Sequence, residues 1–228
     1  GGEPGSGDVL VRTLRSGVSR GIVALVFRGG VPASQYAAMR APFQEGDFPG
    51  PVKYGYLSVG VVEQGPLELR GRTVFCLYPH QTAYVVPAQA VVVGPDDVPP
   101  SRAVRAGTVE TAVNALWDAA PLLGDRITVV GAGMVGCCVA RLLTRIPGVQ
   151  VTLVDIDASR ADVAAALGVG FALPADAGDG RGLVVHTSAT SAGLQPSLAL
   201  PDPAGPVIEP SWYGDAETRL ALGGASHT

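Results

Sequence analysis

The sequence predicts an α/β chain in two parts, a β-rich domain over residues 1–100 and a doubly wound parallel sheet over residues 101–228. Three observations carry this. Short β-type segments separated by turn residues fill the first hundred positions. From residue 126 onward, uninterrupted apolar strands alternate with helical stretches, the pattern of a parallel sheet covered on both faces. Between them, around residues 95–105, Asp96-Asp97-Val98-Pro99-Pro100 ends the β pattern and a helical spacing begins. A length of 228 residues admits one large domain or two modest ones. Hydrophobic residues make up 47% of the chain and mean hydropathy is +0.30, enough for packed cores.

In the first part, residues 9–14 alternate partly between apolar and polar types, bounded by Gly7 and Gly17. Residues 57–63 form a β-rich run with Gly60 inside it, a mark of a bulge or a close backbone approach. Residues 73–77 and 83–87 are two further strands, separated by the turn-like Tyr78-Pro79-His80-Gln81-Thr82. Residues 43–55 hold three glycines and two prolines and predict a long loop, a frequent carrier of function. In the second part, Ala103, Ala106, Val109, Ala112, Val113 and Leu116 recur at three- and four-residue spacing, which predicts a helix over 101–119. Strands follow at 126–130 and 151–155, with helices at 134–146 and 158–167. Shorter strands recur at 170–173, 183–186 and 207–209.

Composition excludes several function classes. A net charge of -4 and a pI near 5.3 oppose a nucleic-acid surface, which needs clustered basic residues. The apolar stretch at residues 127–140 carries three glycines and falls short of the roughly 20 apolar residues of a membrane span. The Gly/Pro/Glu-rich lead-in is no signal peptide. Three cysteines, with Cys137 and Cys138 adjacent, give neither a disulfide framework nor a zinc knuckle, and read as small packing residues in a reducing compartment. The expectation is a soluble cytoplasmic protein with no nucleic-acid or membrane partner.

The strongest chemical signal is Gly131-Ala132-Gly133-Met134-Val135-Gly136, which follows one strand and opens a helix. The first glycine makes a tight strand-to-helix turn, the second admits a pyrophosphate to the backbone, and the third lets helix and strand pack closely. The helix start offers unpaired N–H groups and a partial positive charge. A second strand ends at Asp155, 24 residues beyond Gly131, near the roughly 20 expected of an acid that binds ribose hydroxyls. Gly131, Gly133, Met134, Val135, Gly136 and Asp155 are therefore the predicted dinucleotide contacts. Asp155 repels a 2′-phosphate and favours NAD over NADP, while Arg160, a few positions on, blurs that preference.

A β-rich domain followed by this motif resembles the medium-chain dehydrogenase/reductase superfamily, the alcohol dehydrogenase-like enzymes. Pro4-Gly5-Ser6-Gly7-Asp8-Val9-Leu10-Val11, Ala83-Tyr84-Val85-Val86-Pro87, Thr111-Ala112-Val113-Asn114-Ala115-Leu116 and Val163-Ala164-Ala165-Ala166-Leu167-Gly168-Val169 are similar, in order, to that family's segments. The resemblance implies a GroES-like amino-terminal domain, a Rossmann domain and an active site in the cleft between the two. It also implies where zinc members take their catalytic metal, and there this chain departs. Ser19 stands at the first ligand position, Tyr56 at the second and the third falls near Gly107, while the relay histidine would fall near Ala24. Zinc needs about three N, S or carboxylate ligands, which hydroxyls and a glycine do not supply. The four-cysteine structural lobe is absent as well. The chain thus resembles a zinc-free branch, similar to the bacteriochlorophyllide-type dehydrogenases.

Without a metal, a side chain must polarise the carbonyl or take the hydroxyl proton. Candidates are Tyr56, Lys53, His80 and Glu110, each of which also has an ordinary reading as a surface or half-buried polar group. Thr187 and Ser188, after the strand at 183–186, are expected to line the nicotinamide pocket, and His186 reads as structural. Either Trp212 or Tyr213 could wall that pocket.

The leading expectation is zinc-independent, NAD-dependent hydride transfer between nicotinamide and an alcohol or carbonyl of a small-molecule substrate. The alternatives are a non-catalytic dinucleotide-binding module or sensor, and an NADPH-dependent quinone or enone reductase. Family members are longer and continue into a final strand whose edge makes a dimer. The sequence is accordingly read as incomplete at its carboxyl end, with a homodimer expected of the full-length enzyme.

Overall fold

The alternation at residues 9–14 belongs to β1 (Asp8–Ser16), which carries Val9 and Val11 fully buried. The structure is a computed structural model that describes residues 4–178, 182–198, 200 and 205–211. The chain divides into two units, residues 1–107 and 108–228.

In the first unit, β1 lies between β2 (Ser58–Gln64) and β4 (Ala83–Pro87), and β3 (Thr73–Cys76) and β5 (Val91–Val93) extend the sheet beyond β2. All pairings are antiparallel, in the order β4-β1-β2-β3-β5. Val9, Val11, Val62, Val74, Tyr84 and Val86 close the core from alternate positions of their strands. Register shifts in the β1–β2 ladder after Thr13, where Gly60 sits opposite. A short helix, α1 (Ile22–Phe27), was not legible in the pattern: its six residues are mostly β-branched or aromatic, types that read as strand. The 43–55 segment is a loop, clasped by a bridge between Glu45 and Lys53.

The helix expected over 101–119 is two pieces, α2 (Pro100–Ala103) and α3 (Ala106–Ala119). The division between units falls inside α3.

The second unit alternates β6 (Arg126–Val130), α4 (Met134–Leu143), β7 (Gln150–Val154), α5 (Arg160–Leu167), β8 (Gly170–Ala172), β9 (Leu183–His186), α6 (Ser191–Ser197) and β10 (Val207–Ile208). Every pairing is parallel and the order is β10-β9-β6-β7-β8. Ile127, Val129, Leu153 and Val185 pack with Val139 and Leu143 of α4, Ala164 of α5 and Ala112 of α3. Val130, Val154 and Val184, at the alternate positions, form a second cluster. The chain steps from β6 through β7 to β8, then returns to the other side of β6 for β9. That reversal opens a crevice outside the carboxyl ends of β6 and β9, the usual ligand position in a doubly wound sheet. Among the described residues, no helix is long and apolar enough to cross a membrane.

Candidate active site

The crevice is built on two glycines. Gly131 leaves β6 with φ +104°, a conformation side chains rarely adopt, and a Cβ there would lie 2.9 Å from the Ser188 nitrogen. Gly136, one turn into α4, is packed tighter still: a Cβ would lie 1.9 Å from the Gly131 carbonyl oxygen and 2.6 Å from Thr187 Oγ1. Strand end, helix start and the segment after β9 thus meet at backbone distance. Gly133 is exposed with no atom within 4 Å of its would-be Cβ, and no side chain caps α4. Its first-turn N–H groups therefore have no side-chain capping acceptor. Met134 is 56% exposed and Val135 half-buried on that first turn.

Asp155, immediately after β7, holds the turn from the other side. Its Oδ2 accepts from the Ala132 N–H at 2.7 Å and its Oδ1 from the Asp157 N–H at 3.0 Å. Arg160 reaches Asp157 with its Nε at 3.4 Å. The Ser159 hydroxyl and N–H both donate to Asp157 and hold its carboxyl below the usual range. Thr187 braces the same turn, its Oγ1 lying 3.0 Å from both the Val130 and the Gly131 carbonyl oxygens. Ser188 Oγ is 2.6 Å from His186 Nε2 and 3.0 Å from Thr190 Oγ1. His186 is fully buried, and its Nδ1 is bonded to the Glu209 carboxylate. The structure therefore gathers Gly131, Gly136, Asp155, Thr187 and Ser188 at one crevice.

Of the catalytic candidates, Tyr56, Lys53 and His80 belong to the first unit and Glu110 to the second. In the first unit, Tyr56 is half-buried; burial pushes its phenol up, and a hydrogen bond with Ser19 pulls it partly back. Ser19 and Tyr56, which the resemblance sets at two expected ligand positions, thus interact with each other. At the third, a Cβ on Gly107 would lie 2.6 Å from Leu57 Cδ2. His80 lies over Gly55, with Nδ1 2.6 Å from Ser16 Oγ and a buried Nε2 that has no partner among the described residues; burial holds its pKa down. Lys53 is committed to Glu45 at 2.6 Å. Glu110, in the second unit, is exposed and accepts from Asn114 Nδ2 at 2.5 Å. Among the described residues, no group of three or more His, Cys, Asp or Glu side chains is placed to hold a metal ion. Trp212 and Tyr213 lie outside the described residues.

Sequence reasoning missed Glu209 and the pair it makes with the buried His186. Parallel register was the available signal: Val207 lies beside Val184 and Ile208 beside Val185, so the next residues in line are Glu209 and His186.

No family model matches the chain, and no curated protein is significantly similar to it. Solved structures are similar. A protein described as a short chain alcohol dehydrogenase from E. coli CFT073, complexed with NADH, aligns over 98% of this chain and 74% of its own, at 17% identity and a TM-score of 0.75. A putative zinc-binding dehydrogenase from Sinorhizobium meliloti 1021, bound to NADP, aligns over 96% and 73%, at 16% identity and 0.77. The quinone oxidoreductase from Thermus thermophilus, solved also with NADPH, aligns over 91% and 66%, at 22% identity and 0.70. At these identities the likeness defines the fold. It is a GroES-like unit followed by a Rossmann unit, the fold of the superfamily that the sequence resembles.

Proposed function

We propose that the chain is a nicotinamide-dinucleotide-dependent oxidoreductase that transfers hydride between NAD and an alcohol or carbonyl substrate without zinc. The observation that carries the cofactor assignment is the Gly131–Gly136 turn. Its backbone is pressed against the segment after β9, while Gly133 and the uncapped start of α4 stay open. The donor set suits a dinucleotide: first-turn N–H groups bind pyrophosphate oxygens. The Asp155 carboxylate accepts from ribose hydroxyls, exchanging its bond to the Ala132 N–H, and its charge disfavours a 2′-phosphate. The three solved relatives hold NADH, NADP or NADPH, which supports a nicotinamide cofactor in general.

The bound cofactor supplies the hydride acceptor or donor; the chain supplies positioning, polarity and exclusion of water. The metal-free reading rests on donor chemistry. Two hydroxyls, and a glycine packed on Leu57, leave no anionic or imidazole ligands at the three positions. A second reading, an NADPH-dependent reductase of quinones or enones, draws support from the Arg160 guanidinium at the start of α5, a cation five residues beyond Asp155.

The test is turnover before and after exhaustive chelation, with NAD⁺ and a panel of primary and secondary alcohols, NADH formation being followed by absorbance. Equal rates on metal-free protein are expected. Stoichiometric zinc whose removal abolishes turnover would overturn the metal-free assignment, and preference for NADPH with quinones would favour the second reading.

A further inference from the structure

Three side chains at the carboxyl ends of β9 and β10 form a hydrogen-bonded line that the assignment above does not use. The Glu209 carboxylate holds His186 Nδ1, and its other oxygen accepts from the Ser211 N–H at 2.8 Å. His186 is 0% exposed, and its Nε2 lies 2.6 Å from the Ser188 hydroxyl. Helix α6 covers this pair through Gly193, where a Cβ would come within 2.4 Å of Ser188 Oγ and 2.8 Å of His186 Nε2. The next residue after Ser188, Ala189, holds φ +53°, a left-handed conformation that disfavours a side chain. Nucleophile or hydroxyl, base and orienting carboxylate in hydrogen-bonding sequence is the geometry by which proteins activate a serine for proton transfer.

The polarity of the line follows from its far end. In a relay the Nδ1 proton is shared with Glu209, so that Nε2 is the accepting nitrogen and Ser188 the donor. Thr190 accepts from the Gly193 N–H at 3.1 Å and turns its own hydroxyl toward Ser188 at 3.0 Å. The Ser188 oxygen keeps one further lone pair. Its backbone packs on Gly131, which puts the residue itself beside the glycine turn.

We propose that Ser188, His186 and Glu209 are a proton relay for a hydroxyl of the ligand bound in this crevice, with Ser188 the catalytic residue and the other two positioning it. The relay rests on the dinucleotide reading. In alcohol oxidation the substrate O–H bond breaks and its proton passes to Ser188 as the Ser188 proton passes to His186 Nε2. The carbinol C–H bond gives hydride to the nicotinamide, so the alcohol is oxidised to a carbonyl and NAD⁺ is reduced. The imidazolium, paired with Glu209, then returns its proton through Ser188 to water once the carbonyl product has left. The accepting contact is either with the alcohol itself or with a ribose hydroxyl that passes the proton on.

Two measurements test this. The first is histidine-selective ¹⁵N NMR of the full chain without nucleotide, the three histidines being assigned through single His→Gln variants. His186 is expected as the Nδ1–H tautomer with a far-downfield Nδ1 proton that Glu209→Gln removes; a protonated Nε2 overturns the relay. The second compares Ser188→Ala and wild type by NADH fluorescence titration, by thermal unfolding and by turnover of the best alcohol of the panel. A kcat loss of about 100-fold with KM within about threefold, and loss of the solvent deuterium effect, is expected. Unchanged NADH affinity then assigns the contact to the alcohol, and roughly tenfold weaker affinity alongside the kcat loss assigns it to the ribose. An undiminished kcat overturns the relay. Failure of the wild-type chain to bind NADH overturns the cofactor reading itself, and with it the relay's ligand, even where the tautomer is as expected.

Discussion

His80 and His186 each meet a serine hydroxyl at 2.6 Å, and each has a glycine pressed against its ring, Gly55 on the first and Gly193 on the second. They differ in the other nitrogen. That of His186 is held by a carboxylate, whereas that of His80 is buried with no partner among the described residues, and burial lowers its pKa. The same residue types therefore make two different devices. A carboxylate on the far side orients one ring and offers a place for a proton; without it the other ring is a hydrogen-bonded end that resists charging.

The largest effect expected from breaking this pairing is at His186. His186→Ala removes a fully buried ring and leaves the Glu209 carboxylate without it, a loss of about 3 kcal/mol of stability in the second unit. His80→Ala, at a half-buried ring whose Nε2 already lacks a described partner, is expected to cost about 1 kcal/mol. Urea midpoints read against unit-specific probes check both values, and equal losses would dissolve the contrast.

The two glycines sharpen it. Gly193→Ala pushes a methyl into Ser188 and His186, an overpacking cost of about 2 kcal/mol. Gly55→Ala meets the His80 ring at 2.9 Å and also forces a side chain onto φ +137°, so a similar loss is expected for a partly different reason. Hydrogen exchange of amides in β9 is expected to accelerate in the first variant and not in the second.

The smallest effect is a pH dependence. His80 has a folded pKa below its ordinary 6.5, so just below that pH the unfolded chain binds more protons than the folded one. Stability rises with pH there and is lost as pH falls below about 6.5. A melting temperature lower by about 1–2 °C at pH 5.5 than at pH 7 is expected. His80→Gln should remove that share of the slope; a slope unchanged in the variant would place its origin at another group.

What was legible in the sequence follows from how local the governing physics is. Gly131, Gly133, Gly136 and Asp155 announce themselves because a strand-to-helix turn against a phosphate admits few residues at those spacings, and the parallel strands of the second unit show as unbroken apolar runs. The six residues of α1 were hidden because Ile22, Val23 and Val26 carry strand propensity. His186 and Glu209 were hidden for a different reason. They are 23 positions apart, and only the adjacency and register of β9 and β10 bring them together. Likewise Tyr56 was visible as an aromatic in a ligand's place, but its bond to Ser19 depends on a fold contact that no spacing encodes.

The central claim, a nicotinamide dinucleotide held by the glycine turn and Asp155, is tested most directly by parallel fluorescence titrations of the wild-type chain and Asp155→Asn with NADH and NADPH. The account predicts saturable binding that favours NADH in the wild type. It predicts NADH binding about tenfold weaker in the variant, near 1.4 kcal/mol, with the discrimination against NADPH reduced. No saturable binding of either nucleotide by the wild-type chain would contradict it.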